Sequence, residues 1–264
     1  MDPTSEYLSL GEPDRAVHLW RYTPWRKVHP TGNISEIPEE VSPPHLNLSC
    51  IDGEVPEGVR LVRGSKGVDG LPDSDSTTSS FMNAITANST WTVEVDSGFN
   101  PGKTVVLEIN ADSPISAVHI CMKVGMHSDF EFVTIVRGDC EWLGLLRTGC
   151  TGEGSITNDV VVNLLERGTL LRVDSIHIDR DSQVVAGTIS SGSEMTKSDL
   201  RYRMGQPGGN LNVLGSILSA EEMMLDHHIE IHHDAPETFS RLDWHSACGG
   251  KSKTVGTGML KVSE

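Results

Sequence analysis

The sequence predicts a mainly β protein built as a solenoid of stacked coils, and three observations carry this prediction. From Asn88 onward, short apolar runs with period-two alternation recur about every dozen residues, separated by Gly, Asn, Asp and Ser. No helical pattern of ten or more residues interrupts the series. Aromatic residues make up only 5% of the chain, too few for the bulky core of a typical β-sandwich. A β-sandwich and a jelly roll nevertheless remain compatible with the same runs.

Thirteen runs in this series have the length and composition of strands. In a solenoid, each coil packs only against its neighbours, so the repeat is one of structure and needs no sequence identity. The predicted strands span residues 91–95, 104–109, 117–122, 130–136, 141–146, 159–165, 169–178, 183–189, 199–204, 210–218, 224–231, 239–244 and 254–262.

The character of the chain changes at Asn88, and we therefore predict two regions. Residues 1–87 form an N-terminal arm and a small α/β region, and residues 88–264 form the β core. Pro24 and Pro30 exclude a long helix in the arm, so we expect a short helix followed by extended chain. The other elements expected before the core are strands at 46–51 and 59–62, a loop at 64–80 and a short helix at 80–87.

The charge balance argues against two classes of partner. The chain has 37 acidic and 21 basic residues, a formal net charge of −16. Nucleic acids and anionic membranes bind basic patches that replace their counterions, so we expect neither as a partner. The sequence has no run of about 18 apolar residues, which a transmembrane helix would need. The N-terminus also lacks the basic and apolar regions of a signal peptide, so the expected location is the cytoplasm.

The cysteines show neither a disulfide framework nor a zinc-binding pattern. Their number, five, is odd, and no C-x-x-C pair occurs. We interpret most of them as reduced and buried. Cys248 is the exception, because a glycine-rich turn should expose its thiol near Lys251 and Lys253, which favour the thiolate. Cys248 is therefore a candidate reactive thiol, but the lack of any paired cysteine favours the alternative, a turn cysteine without a role.

The main chemical candidate is a histidine-rich stretch in the last forty residues. Period-two alternation predicts a strand with one face of mixed apolar and imidazole side chains and a second face that is wholly polar. The first face carries Leu225, His227, Ile229, Ile231 and His233, and the second carries Asp226, His228, Glu230 and His232. The polar face is either part of a metal site or the polar outer surface of one coil.

A metal site on this strand would use His228, Glu230, His232 and His245. Imidazoles four residues apart on a strand are ~13 Å apart at ~3.3 Å per residue, too far to share one metal. Glu230 lies two residues from each histidine, so a histidine–glutamate pair could begin a site that His245 or Asp243 from the next coil completes. The function that follows would be a metal-dependent β-helix or β-barrel enzyme. No G-x-S-x-G motif or comparable constellation occurs, so no catalytic residue is predicted.

Three segments carry a resemblance to a known family. They are Trp20–Pro24 (WRYTP), residues 80–87 (SFMNAITA), and the stretch from His233 through Ser240 and Arg241 to KTVGTGMLKV. In order and spacing they resemble the SufB/SufD family of iron–sulfur cluster assembly scaffolds, the SufD side more closely. The resemblance implies a right-handed parallel β-helix in a non-catalytic subunit that binds a SufB-like scaffold and a SufC-like ABC ATPase. It implies no resident cofactor, although a transient iron–sulfur cluster would belong to the assembled complex.

One departure from the family bears on the partners. Family members continue beyond the position of Val262 with further β-helix strands and a C-terminal helical domain that binds the ATPase. We therefore expect a shortened paralogue, a fragment or one half of a split gene. A β-helix that ends at Val262 leaves backbone donors and acceptors open at its last strands. We expect a partner chain, or a second copy in a homodimer, to cover that end.

Overall fold

The computed structural model describes residues 3–64 and 74–263, and its helices precede the β core. They are α1 (Pro3–Ser9), a 3-10 helix (His18–Trp20), α2 (Trp25–Val28) and α3 (Ser76–Thr86). The short segments around Pro24 agree with the expectation that proline prevents a long helix there.

Helix α3 confirms the helix expected at residues 80–87 but begins earlier. Asp75 caps it by accepting hydrogen bonds from the backbone N–H groups of Thr77 and Thr78. The loop expected at 64–80 is therefore wrong from Ser76 onward. Its part at residues 65–73 lies outside the described residues.

The strands of the core follow the predicted series closely. They are β1 (His45–Cys50), β2 (Val59–Arg63), β3 (Thr90–Val95), β4 (Thr104–Asn110), β5 (Ile115–Lys123), β6 (Asp129–Gly138), β7 (Trp142–Cys150), β8 (Ile156–Leu165), β9 (Thr169–Ile178), β10 (Gln183–Ser190), β11 (Met195–Met204), β12 (Asn210–Ser219), β13 (Met224–His233), β14 (Phe239–Cys248) and β15 (Lys253–Val262). All thirteen predicted core strands are confirmed.

The described strands form two sheets with alternating membership. Sheet A has eight strands in the order β15-β13-β11-β9-β7-β5-β3-β2, and sheet B has seven in the order β1-β4-β6-β8-β10-β12-β14. From β3 onward neighbouring strands are parallel, and each connection crosses from one sheet to the other. The chain thus winds a parallel β-solenoid of about six turns, which confirms the predicted fold class.

The turns repeat with the coils. One corner uses a left-handed residue in five successive coils, at positions 127, 154, 181, 208 and 237. Gly138, the last residue of β6, has a φ of +117°, and a Cβ there would lie 2.3 Å from the carbonyl oxygen of Ala111. The preceding coil therefore approaches so closely that only glycine fits at this position.

The interior between the sheets is mainly apolar along the described coils and includes a buried cluster of charged side chains. Phe130 and Phe132 stack there with ring centroids 5.3 Å apart. Further along, Arg147 and Asp159 are both buried and joined by a salt bridge of 2.7 Å. β7 extends beyond its predicted end at residue 146. The prediction ended there because Arg147 breaks the apolar pattern in the sequence, although its side chain points into the interior.

The N-terminal arm packs on the outer face of sheet A. Its aromatic rings form a second core in which Trp20 and Trp25 meet edge to face at 5.1 Å, and Trp25 and Phe81 at 5.2 Å. Trp142 of β7 belongs to the same cluster and donates from Nε1 to the carbonyl oxygen of Val28 (2.7 Å). The aromatic residues of the arm therefore serve packing against the solenoid.

Strands β1 and β2 lie within the region assigned to the arm, yet they extend the two sheets. β1 pairs antiparallel with β4, and β2 pairs antiparallel with β3. These strands cover the first coil and satisfy its backbone groups. In the part of the chain that the structure describes, no helix has the length and apolar composition needed to cross a membrane.

Candidate metal and thiol sites

The histidine-rich stretch forms β13, and both of its faces are buried. His227 and Ile229 point into the solenoid, whereas Asp226, His228 and Glu230 point outward. The polar outer face is thus confirmed, but it is not in contact with solvent. The N-terminal arm crosses the strand on this side and covers its polar face.

The arm is held to the polar face by buried hydrogen bonds and charges. Thr23 donates from Oγ1 to Asp226 (2.6 Å), and the same carboxylate accepts from Lys197 Nζ of β11 (3.0 Å). Lys197 also lies 5.4 Å from the ring centroid of Trp20. Residues of the WRYTP segment therefore contact both β11 and β13. β11 begins four residues before its predicted start. The prediction began too late because a lysine such as Lys197 is usually a surface residue, whereas here it is buried.

Glu230 is the centre of the outward-facing cluster. Its carboxylate lies 2.6 Å from His232 Nε2, 3.5 Å from His228 Nε2 and 3.2 Å from Arg201 Nη1. Burial alone would raise the pKa of Glu230, but the hydrogen bond from His228, the charge of Arg201 and the hydrogen bond from His232 together lower it to about 2. An ionised carboxylate only accepts, so His232 donates from Nε2. His228 is fixed at its other nitrogen, which lies 2.9 Å from Thr257 Oγ1.

The structure does not bring His245 to this cluster. His245 and Asp243 lie on β14, which belongs to sheet B, whereas β13 belongs to sheet A between β11 and β15. The residues in register with Glu230 are Arg201 and Met259, so the preceding coil supplies a guanidinium and the following coil a thioether. Over residues 3–64 and 74–263, no group of three or more His, Cys, Asp or Glu side chains is arranged to hold a metal ion. The predicted set of His228, Glu230, His232 and His245 is therefore not assembled, because successive strands alternate between sheets.

Cys248 is exposed, as predicted. It ends β14 in register with Ser219, and its Sγ lies 3.3 Å from Thr254 Oγ1. Hydrogen bonds from Ser219 and Thr254 lower the pKa of the thiol. The hydroxyl groups of neighbouring coils thus replace the expected lysines, and Lys251 instead lies 3.5 Å from Glu222.

Two groups with unusual surroundings were missed by the sequence reasoning. On the outer face of sheet A, Cys121 Sγ lies 3.3 Å from His119 Nε2, which lies 2.7 Å from Thr148 Oγ1. Burial lowers the pKa of His119 to about 4 and raises the pKa of Cys121, so both groups are neutral. Only the H-x-C spacing, which places both side chains on one strand face, could have indicated this pair.

The second missed group is His227, inside the solenoid. Its ring lies 5.2 Å from Trp244, and neither ring nitrogen has a hydrogen-bond partner among the described residues. Burial, together with the charges of Arg172 and Lys197, lowers its pKa to about 3. His227 is therefore a neutral core residue and does not join the outward-facing cluster.

The comparisons with known proteins agree with this architecture. A comparison with curated proteins found no match. A family model described as SUF system FeS cluster assembly, SufBD core domain, matches residues 109–264, from the end of β4 through β15. This match covers more than half of the chain and almost the whole solenoid, so the chain belongs to the SufBD core-domain family of the SUF system of iron–sulfur cluster assembly.

Proposed function

We propose that the chain is a SufD-like scaffold subunit that binds a SufB-like scaffold and a SufC-like ABC ATPase and catalyses no reaction itself. The family match over residues 109–264 carries the proposal. The WRYTP segment favours the SufD side, and in the structure it holds the arm to the solenoid. The proposal includes a cytoplasmic location. Any iron–sulfur cluster is cargo of the assembled complex and not a resident cofactor.

The state of the polar clusters supports a binding role. The carboxylate of Glu230 is already engaged by Arg201, His228 and His232, and Glu230 is only 5% exposed. His119 and Cys121 are likewise engaged with Thr148 and are neutral. A general acid or base must reach the proton that it transfers in a bound substrate. These side chains instead form hydrogen bonds and ion pairs with one another, as in polar networks that stabilise a fold.

The last described strands provide a surface for another β-structure. Among the described residues, β14 and β15 are the outermost strands of sheets B and A. Apolar side chains are exposed beside them, with Leu260 at 60% and Val262 at 70%. Addition of strands at such an edge is a common mode of protein recognition.

Affinity capture of the tagged protein from its own cells tests the proposal. We expect to recover an ABC-type ATPase and a second SufBD-family chain. The variant Leu260→Lys/Val262→Lys, which places charges at the edge of β15, should lose the second scaffold chain. The matched variant Ile51→Lys, at a similarly exposed residue far from this edge, should retain it. Recovery of the tagged chain alone from cells that express both partners would contradict the proposal.

The same eluate tests the metal-dependent alternative. Iron and zinc are assayed on the purified chain and on His232→Ala, which removes a histidine that contacts Glu230. Under the scaffold proposal the purified chain holds far less than one metal ion, and the variant is unchanged. About one metal ion per chain that is lost in His232→Ala would favour the metal function.

A further inference from the structure

The turn between β13 and β14 brings a serine and a histidine into direct contact. His233 ends β13, and Ser240 is the second residue of β14. The Nε2 atom of His233 lies 2.8 Å from Ser240 Oγ, and its Nδ1 atom lies 2.8 Å from Thr238 Oγ1. All three residues belong to the stretch that carries the family resemblance, yet the proposed scaffold function gives them no role.

The hydrogen bonds determine which nitrogen of His233 carries the proton. The hydroxyl of Thr238 donates its single proton to the carbonyl oxygen of Ala235 (3.0 Å), so its oxygen accepts from His233 Nδ1. A neutral imidazole with its proton on Nδ1 has a lone pair on Nε2, and this lone pair accepts from the Ser240 hydroxyl. Burial lowers the pKa of His233, and the charge of Asp234 opposes this shift only in part. The ring is therefore a neutral base near neutral pH.

The three side chains have the arrangement of an activated nucleophile. A serine hydroxyl is a weak nucleophile unless a base within hydrogen-bond reach takes its proton and a further group orients that base. Here His233 is the base and Thr238 is the orienting group. The sequence analysis missed this set because the serine and the histidine are seven positions apart across a turn and match no known catalytic motif.

The serine and the histidine line an open cavity. Its volume is about 660 Å³, which is within the range of small-molecule sites. Ser240 and His233 form part of its wall, together with the exposed apolar side chains of Phe239, Leu260 and Val262. A small molecule with an apolar part can therefore pack against this wall while it contacts the serine hydroxyl.

The charges of the cavity restrict the class of that molecule. Asp234 and Glu237 line the cavity, and its described lining residues include no lysine or arginine. Asp234 pairs with Arg203, whereas Glu237 is exposed. The formal net charge of the whole chain is −16. Phosphates and carboxylates are repelled by such a field, so the cavity favours uncharged ligands.

We propose that Ser240 is a site of covalent acylation by uncharged esters with an apolar acyl chain. Ser240 Oγ attacks the carbonyl carbon of the ester and forms a new C–O bond, while its proton passes to His233 Nε2. The C–O bond to the leaving alcohol then breaks, and His233 gives the proton to that oxygen. The products are an acyl ester of Ser240 and a free alcohol. The inference concerns a modification of this chain and does not depend on the proposed SUF partners.

The probe is p-nitrophenyl hexanoate, an uncharged ester, and the full chain is used throughout. Every protein carries Cys248→Ser, so that the exposed thiol does not react with the ester. Peptide mapping by mass spectrometry should find a hexanoyl group on Ser240, with release of one equivalent of p-nitrophenol. Ser240→Ala should lose both signals. The matched variant Ser246→Ala, at an exposed serine of the same strand, should retain both.

Variants of the base and of the orienting group test the mechanism. His233→Gln should slow the acylation of Ser240 by about 100-fold, because it removes the general base. Thr238→Val should slow it by about tenfold, because Nδ1 loses its hydrogen-bond acceptor. Thr238→Ser keeps this acceptor and should restore the rate. Circular dichroism checks that every variant is folded.

A charged ester tests the ligand class without any change to the site. Mono-p-nitrophenyl adipate has an acyl chain of the same length as the hexanoate but ends in a carboxylate. It should acylate Ser240 about tenfold more slowly. Equal rates for the two esters would overturn the assigned class, even if the variants of His233 fail to fold.

Three results would overturn the acylation site itself. They are a folded chain that neither gains a hexanoyl group on Ser240 nor releases p-nitrophenol, equal labelling of Ser240 and Ser246, and an unchanged rate in folded His233→Gln. Continued release of p-nitrophenol that requires Ser240 would show that water removes the acyl group again. That result would support the acylation step and would contradict the non-catalytic part of the proposed scaffold function.

Discussion

Replacing Arg147 by methionine tests how strongly the charges inside the solenoid hold its two sheets together. Arg147 extends from β7 of sheet A, and its side chain is fully buried. Its Nη2 lies 2.7 Å from both carboxylate oxygens of Asp159 on β8 of sheet B, and its Nη1 lies 2.8 Å from Asp174 on β9. A single guanidinium thus joins three strands and both sheets.

The two carboxylates respond differently to the loss of this guanidinium. Asp174 keeps two hydrogen bonds from Arg172, of 2.9 and 2.6 Å. Burial alone would raise the pKa of Asp174, but Arg172 and Arg147 together lower it, so it is ionised in the folded protein. Asp159 loses both hydrogen bonds from Arg147 while only 7% of its side chain is exposed. Removing one partner of a buried ion pair costs about 3–5 kcal/mol in the free energy of unfolding.

Thermal and urea unfolding at neutral pH, followed by circular dichroism, measure this cost. For a chain of this size we expect the melting temperature of Arg147→Met to fall by roughly 10 °C. Arg147→Met/Asp159→Asn should recover at least half of the loss, because it removes the stranded charge. The control Arg241→Met breaks a pair with Asp243 whose arginine is 65% exposed, and should cost less than about 1 kcal/mol. A loss below about 1 kcal/mol for Arg147→Met, or no recovery in the double variant, would refute this account of the interior.

Three further predictions concern the outward-facing cluster, the exposed thiol and the cap of α3. Because the folded protein lowers the pKa of Glu230 to about 2, its stabilising contribution is present above the unfolded pKa and is lost as pH falls towards 2. The melting temperatures of wild type and Glu230→Gln should therefore differ most near neutral pH and converge in acid; a constant difference would contradict this. Cys248, exposed and with a lowered pKa, should be the first cysteine alkylated by iodoacetamide, by mass spectrometry, and Cys248→Ser should abolish the fast phase. Equally fast labelling of the half-buried Cys150 would count against this. Asp75→Ala removes the cap of α3 and a hydrogen bond to Trp20 Nε1, and should cost about 1–2 kcal/mol in urea unfolding, whereas Asp75→Asn should retain most of the stability.

The fold could be predicted from the sequence because it depends on local periodicity. β9 begins and ends at its predicted residues, since alternation and flanking turn residues mark both ends. The bounds of β7 and β11 were too short where Arg147 and Lys197 interrupt the apolar pattern. Each of these charges is buried against a carboxylate from another strand, at 2.7 and 3.0 Å. Local sequence shows the charge but not its partner.

The candidate site was predicted less well, because its geometry depends on contacts that are distant in sequence. The alternation of β13 correctly separated its two faces. The arm covers the polar face through contacts such as the hydrogen bond between Thr23 and Asp226. These two residues are 203 positions apart in the chain, so local sequence does not indicate that they meet. The choice of His245 as a ligand assumed that the next strand lies beside β13. In a solenoid of two sheets the adjacent strands are the second before and the second after, which places Arg201 beside Glu230 instead.

The contacts of the arm give the WRYTP segment a structural role in this chain. Trp20 covers the ammonium group of Lys197, and Thr23 shares the carboxylate of Asp226 with the same lysine. Without the arm, this ion pair of β11 and β13 would be exposed to water and screened, and would contribute little. With the arm in place both charges are 1% exposed, and the neighbouring Glu230 cluster is sheltered on the same face. A segment that resembles a family signature therefore acts here through desolvation of the solenoid face, to which Trp20 contributes its indole and Thr23 its hydroxyl.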